Sequence, residues 1–342
     1  MTWQTSSTKP MWSPAVKNGM SMARALDDQE RMAFAADVRA GLGARPKVLS
    51  PRYFYDALGS QLFEAICQLP WYPITRAETR LLERSAAEMV APFSDLGELC
   101  ELGSGSGEKL LRLARPLVDR GRRLDIHLVD ISEKALELGR ATLGRIPRAR
   151  VIGHRATYEA GLAALAAARP RQGARLVCFF GSNIGNFDPP AAAALLVAIR
   201  AALGPGDGLL LGADLVRAEE RLLLAYDDPL GVTAAFNKNV LRRINAELGG
   251  DIDLDSFSHR AVWDARASRV EMHLVSRRPQ VVRVAAADLV ATFAEGETIW
   301  TESSYKQTPE RLADMGERAG FACQRQWVDE ENGFATTLFM VE

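Results

Sequence analysis

Cysteine and histidine are scarce in this 342-residue chain, four of each, and their spacing excludes a good deal of chemistry. Cys67, Cys100, Cys178 and Cys323 form no Cys-x-x-Cys pair, so neither a zinc site nor a disulfide framework is expected. Cys100 and Cys178 fall inside apolar strand-like runs and read as inert core residues. His127, His154, His259 and His273 show no metal-ligand spacing, and His-Glu-x-x-His is absent, so no metal is expected. Asp251-Ile252-Asp253-Leu254-Asp255 starts like a calcium loop but has Ser256 at the glycine position and Val262 at the glutamate position; a charged surface turn is expected. Ser182 has no Gly-x-Ser-x-Gly around it, which leaves hydrolase chemistry without support. Neither sign of charge is in excess: the net charge is −1, which argues against a nucleic-acid partner held through its phosphates. No apolar run approaches bilayer length and no signal peptide is visible, so a cytoplasmic protein without a membrane partner is expected. The remaining composition, 47% hydrophobic and 25% charged, is that of a globular chain with ample length for a core.

Glycine, by contrast, is concentrated where it matters. The apolar run Leu96 to Leu102 ends in Gly103-Ser104-Gly105-Ser106-Gly107, and a helical pattern opens at Glu108 with Leu110, Leu111, Leu113 and Leu117. Strand, glycine turn and helix together let a nucleotide-like ligand approach bare backbone at a helix N-terminus. Gly-x-Gly-x-Gly places its third glycine one residue too early for the dinucleotide fingerprint. Glu101, two residues before the first glycine, puts a carboxylate where a cationic ligand could meet it. The combination suits S-adenosylmethionine (SAM) better than NAD.

Around this unit the chain alternates strand and helix signals. Strands are predicted at 97–102, 125–130, 149–152, 175–180 and 208–214, and helices at 108–118 (with Pro116 a candidate early stop), 132–143, 160–168 and 190–203. Repeated βα units with apolar strands imply a parallel sheet covered on both faces, with ligands at the strands' carboxyl ends. Before it, helices are predicted at 23–42, at 53–69, and from Thr75 to Ala91, with Thr75 and Glu78 as a capping box. After Arg217 come helices at 219–226 and 234–248, then strands at 261–265, 268–276 and 280–286, with Arg277-Arg278-Pro279 turning between the last two. A helix from Thr308 to Ala319 and a strand pair at 322–328 and 334–341 finish the chain. The expected division is a flexible tail at 1–22, N-terminal helices of a substrate-binding domain at 23–78, a core at 79–215 and 307–342, and an insert at 216–306.

Several polar residues stand where chemistry could use them. Asp130 ends the second strand, where a carboxylate can take both ribose hydroxyls; the alternative is a helix cap, for which Ser132 is better placed. Gly181-Ser182-Asn183-Ile184-Gly185-Asn186 follows another strand and offers neutral donors and acceptors for a zwitterion, or forms an ordinary turn. Tyr55, Tyr72 and Tyr226 read either as site phenols or as half-buried aromatics with satisfied hydroxyls. Glu302 and Ser304 alternate along an extended segment and so face one side, able to receive a polar heteroaromatic ring; a solvated loop is the plain alternative.

Taken in order, these segments resemble the histidine-specific Nα-methyltransferases of ergothioneine biosynthesis. The resemblance runs from about Asp37 to the C-terminal region. It is carried by Tyr53-Phe54-Tyr55-Asp56, Gly59-Ser60-Gln61-Leu62-Phe63, Thr75-Arg76-Ala77-Glu78, Glu101-Leu102-Gly103-Ser104-Gly105, Gly181 to Asn186, Ala225-Tyr226-Asp227-Asp228, Gly231 to Asn239, and Thr301-Glu302-Ser303-Ser304.

The resemblance implies an α/β protein: a Rossmann-like class I SAM-dependent methyltransferase sheet with an inserted α+β substrate-binding domain. It implies trimethylation of the α-amino nitrogen of L-histidine to the betaine hercynine, with mono- and dimethyl forms as intermediates. A monomer is expected. Asn186 and Tyr226 would hold the carboxylate or amino end, Glu302 and Ser304 the imidazole, with Tyr72 and Met272 beside it. Tyr55 would lie near the reacting amine. Gly103, Lys109 and Asp130 match the family's cofactor-binding positions, and Glu101, Gly105 and Ser182 are expected to join them. Where the family usually has an Asp-Phe pair for adenine, this chain has Thr157 and Tyr158, so a charged contact is lost. Trp71 and Pro73 also flank Tyr72 in place of the family's acid and second tyrosine. Another amino acid or an indole substrate, a non-catalytic SAM-binding regulator and an NAD-dependent oxidoreductase are the alternatives.

Overall fold

The computed structural model describes residues 27–118, 123–167 and 173–342; the expected tail at 1–22 and the first four residues of the first predicted helix lie outside these. The chain opens with α1 (Asp28–Gly43), the short β1 (Lys47–Val48), α2 (Ala57–Gln68) and α3 (Ile74–Val90). The alternating region follows as β2 (Leu96–Leu102), α4 (Glu108–Val118), β3 (Leu124–Asp130), α5 (Glu133–Leu143), β4 (Ala149–Arg155), α6 (Tyr158–Ala167), β5 (Ala174–Phe179), α7 (Pro189–Ala201) and β6 (Gly208–Asp214). Then come α8 (Glu219–Tyr226), α9 (Val232–Leu248), β7 (Phe257–Asp264), β8 (Arg269–Ser276), β9 (Gln280–Val284), β10 (Leu289–Phe293) and β11 (Thr298–Tyr305). The last elements are α10 (Pro309–Arg318), β12 (Ala322–Asp329) and β13 (Phe334–Met340).

Seven strands form one sheet in the order β12-β13-β6-β5-β2-β3-β4. The five from β2 to β6 are mutually parallel, and β13 runs antiparallel to β6. β2, β5 and β6 are buried almost throughout, as a sheet covered on both faces requires. Chain order reverses between β2 and β5, and a crevice opens outside the carboxyl ends of two strands at such a point. The glycine turn after β2 and the Gly181–Asn186 segment after β5 are the two loops that border it.

A second sheet, β1-β11-β8-β7, is built from the N-terminal segment and the region after residue 217, with β1 pairing parallel to β11. β9 and β10 make a separate two-stranded sheet. Arg277-Arg278-Pro279 therefore does not turn a hairpin: it carries the chain from one sheet to another, because β8 already has β7 and β11 on its two edges. Along β8 burial alternates strictly, the pattern of a strand with one face on the core.

Two other local expectations are corrected. The helix predicted from Tyr53 begins at Ala57, since Asp56 caps it through Gly59 N–H and residues 51–54 form a 3₁₀ turn. The capping box proposed at Thr75 and Glu78 does not exist: Pro73 is the N-cap, and burial draws Glu78 into the core instead. Pro116 sits in the last turn of α4, which runs on to Val118.

Candidate active site

The glycine turn is made of left-handed backbone, with φ of 73° at Gly103, 49° at Gly105 and 73° at Gly107. A side chain at Gly103 would also meet Asn183 Nδ2 and Tyr158 Oη, each 3.0 Å from where its Cβ would sit. Asp130, at the end of β3, accepts from Gly105 N–H (3.1 Å) and from Ser132 N–H (2.9 Å), while Ser132 caps α5. The carboxylate thus braces the turn with one lone pair per oxygen, and burial raises its pKa.

Glu101 and Lys109 lie at the base of this turn. Burial pushes the Glu101 carboxyl well above its usual range, with the Lys109 ammonium opposing it. Lys109 is paired 2.6 Å from the fully buried Glu78, whose attraction outweighs burial and raises the lysine pKa. Glu101 Oε2 and Ser104 Oγ are buried without a hydrogen-bond partner among the described residues. Buried polar atoms are nearly always satisfied, so two orphans beside bare glycine backbone fit a ligand that brings a cationic or hydroxyl donor. SAM, with its α-ammonium and ribose hydroxyls, meets that requirement. Thr157 is exposed and its hydroxyl accepts from Ala160 N–H (3.4 Å), opening α6; Tyr158 packs edge-on to Phe179.

Beside the turn lies a pocket holding about 510 Å³ of space, part of it open to solvent. It gathers Tyr55, Tyr72, Asn186, Tyr226, Met272, Glu302 and Ser304, seven residues from six separate stretches of sequence. Ser182, expected with the cofactor group, lines this cavity too; its Oγ accepts from Asp214 N–H at 2.9 Å and its own φ is 59°. Gly181 and Asn183 complete the wall shared with the glycine turn. Phe63 and Phe236 form an apolar side against Tyr55, which sequence reasoning passed over because aromatic residues on helices look like ordinary core.

The register of β11 decides what the cavity presents. Its pairing with β8 shifts between Trp300 and Glu302, after which Glu302 faces Met272 and Ser304 faces Val270. A bulge of this kind re-aims the residues that follow it. Glu302 and Ser304 then point into the same space. The Glu302 carboxylate makes no hydrogen bond among the described residues, and burial raises its pKa to about 7 despite the opposing charge of Lys306. Burial also lifts the Tyr55 and Tyr72 phenols well above their ordinary value, so both keep their protons.

The parallel sheet with an antiparallel seventh strand, a glycine turn at its first strand and an adjoining polar cavity define a class I SAM-dependent methyltransferase. Its family follows from comparison with known proteins. The family model described as "Histidine-specific methyltransferase, SAM-dependent" matches residues 34–341, and the chain belongs to that family. It is 42% identical over 312 residues to a histidine N-alpha-methyltransferase of Mycolicibacterium smegmatis, covering 91% of this chain and 96% of the relative. A histidine N-alpha-methyltransferase of Mycobacterium tuberculosis is also 42% identical, over 317 residues with the same coverage. At 26% identity over 312 residues, it is similar to a 4-dimethylallyltryptophan N-methyltransferase of Epichloe festucae var. lolii, covering 85% of this chain and 90% of that one.

Proposed function

We propose that this protein transfers methyl groups from SAM to the α-amino nitrogen of L-histidine, three times in succession, giving hercynine. One observation carries the choice of acceptor: an ionisable carboxylate with no partner of its own, Glu302, stands beside the Ser304 hydroxyl on one face of one strand. Unpaired, a buried carboxylate is costly, and a ring N–H relieves that cost. Asn186 would hold the amino-acid end, with Tyr72 and Met272 lining the ring; Tyr226, whose proton goes to Ser304, could serve that end only by accepting from the amine. Glu101, Gly103, Gly105, Lys109 and Asp130 would hold the cofactor, with Thr157, Tyr158 and Ser182 at its edges. The same reading makes the protein a cytoplasmic monomer acting on a free amino acid.

Bound at the glycine turn, SAM supplies an electrophilic methyl on a sulfonium, open to in-line attack by an amine lone pair. The chain's part is to hold that amine neutral and aligned, which can provide most of the acceleration without covalent catalysis. Tyr55 keeps its proton, so its oxygen can accept a hydrogen bond from the amine but cannot serve as a strong base. The proton released in each round then passes to water. Phe63, Phe236 and neutral hydroxyls line the pocket, contacts that a growing methyl cluster tolerates.

Incubation with SAM and a panel of amino acids, followed by mass spectrometry, tests the reading. Histidine should gain three methyl groups. Preferential methylation of an indole amino acid, or of none, rejects it.

A further inference from the structure

Lys306, one residue beyond β11, buries its ammonium completely. Its Nζ stands 2.8 Å from Asp214 Oδ2, 2.7 Å from Tyr226 Oη and 2.8 Å from Ser304 Oγ. Asp214 ends β6 and also pairs with Arg217 at 2.5 Å, so the three charged groups leave one net positive charge behind the cavity wall. Burial alone would depress the lysine's pKa; the Asp214 carboxylate outweighs it and holds the value above normal. The group is an ammonium, and an ammonium only donates.

Tyr226 Oη and Ser304 Oγ therefore both accept from Lys306, and they lie 2.8 Å from each other. Of the two hydroxyls the phenol is the stronger acid, and an ammonium on its oxygen makes it a better donor still, so the proton between them belongs to Tyr226. Ser304 then has both lone pairs taken. Only its proton remains to offer the cavity. Glu302 on the same face is the converse: ionised, as it is above about pH 7, it only accepts.

We propose that Lys306, anchored by Asp214, is a positioning residue that makes Ser304 an obligate donor, so that Glu302 and Ser304 together select a neutral azole ring: its N–H to Glu302, its lone-pair nitrogen to Ser304. This deepens the histidine assignment and rests on it. An imidazolium carries two N–H groups and would set one against the Ser304 proton. A pyrrole or indole has no lone-pair nitrogen and leaves that proton unpaired, which a buried site penalises strongly.

Two measurements test this. In the wild-type protein with S-adenosylhomocysteine and ring-¹⁵N-labelled L-histidine at pH 8, where Glu302 is ionised, NMR should show one protonated and one bare ring nitrogen. Two protonated nitrogens overturn the inference while leaving histidine methylation standing; no transfer to histidine at all removes both. The second measurement compares kcat/KM for L-histidine with that for the two pyrrolylalanine isomers. Wild type should favour histidine by at least about 100-fold, as expected of a site built around a specific hydrogen bond. Lys306→Met, and the Asp214→Asn/Lys306→Met double variant that removes the ion pair whole, should bring that ratio within about tenfold, mainly by raising KM for histidine. Lys306→Gln, which restores a donor, should recover part of it. An unchanged ratio in variants that still bind SAM overturns the role of Lys306, and if no variant folds, the NMR result decides.

Discussion

The Gly181 N–H is held by both carboxylate oxygens of Glu78, at 3.0 and 2.9 Å, across 103 residues of sequence. Glu78 is fully buried on α3 and also pairs with Lys109 at the start of α4. One carboxylate thus ties the loop after β5 to the helix that follows the glycine turn. The two loops that border the crevice are set against each other by this residue.

Removing it takes away the carboxylate that pairs with the partly buried Lys109 ammonium, leaving only the more distant Glu101 charge. Glu78→Ala should destabilise the fold by about 3–5 kcal/mol, the usual result of breaking a buried pair, with Glu78→Gln milder. Thermal unfolding measures the first effect, and titration calorimetry should show weaker SAM binding in both variants. A Glu78→Ala protein that melts with wild type and binds SAM equally would refute this bracing role.

Glu302→Ala should lower kcat/KM for histidine by about 100-fold, since the ring N–H loses a charged acceptor. SAM affinity should stay within about threefold, because the carboxylate lies on the other side of the shared wall. Equal losses in steady-state rate and in calorimetric SAM binding would reject a ring-recognition role.

The pH dependence has a definite sign. The folded Glu302 carboxyl titrates at about 7, above the ~4.3 of an unfolded chain. Between these values the folded state binds the extra proton, so its stabilising contribution is present in acid and lost as pH rises through about 7. Glu302→Gln should therefore melt higher than wild type at pH 8, with the difference vanishing near pH 4. Histidine affinity of the wild type should move the other way, weakening as pH falls through 7. A melting difference independent of pH would show that the carboxyl is not shifted.

Gly107 combines a φ of 73° with close packing: a Cβ there would lie 2.9 Å from Leu143 Cδ1 and 3.2 Å from Gly139 Cα. Gly107→Ala should cost about 1–3 kcal/mol of stability and loosen the turn that leads into α4. Chemical denaturation gives the first quantity. If stability and SAM affinity both match wild type, the turn does not depend on this conformation.

β2, β3, β5 and β6 were readable because each pairs an apolar run with a glycine or acidic stop; β4 has no such stop and runs three residues past its predicted end. Predicted strand 208–214 and predicted helix 219–226 coincide with β6 and α8. Glu78 was misread because Thr-x-x-Glu satisfies the local rule for a capping box, whereas its real partners, Gly181 and Lys109, lie far along the chain. The Arg277–Pro279 turn was misread for the same kind of reason: local turn chemistry does not say which sheet the next strand joins. Lys306 gave no signal at all: one of seven lysines, it has no motif around it, and only folding buries it beside Asp214.

By itself the sequence determined the alternating α/β order, the glycine turn with its preceding acid, and the family to which the chain belongs, because those are written in local periodicity and in short motifs. Tertiary structure alone decided the β11 bulge that turns Glu302 and Ser304 into one cavity, the Glu78 bridge between two loops, and the buried cation behind Tyr226 and Ser304. The physical reason is that hydrogen bonds and desolvated charges act over a few ångströms of space, and only folding brings together groups separated by scores of residues.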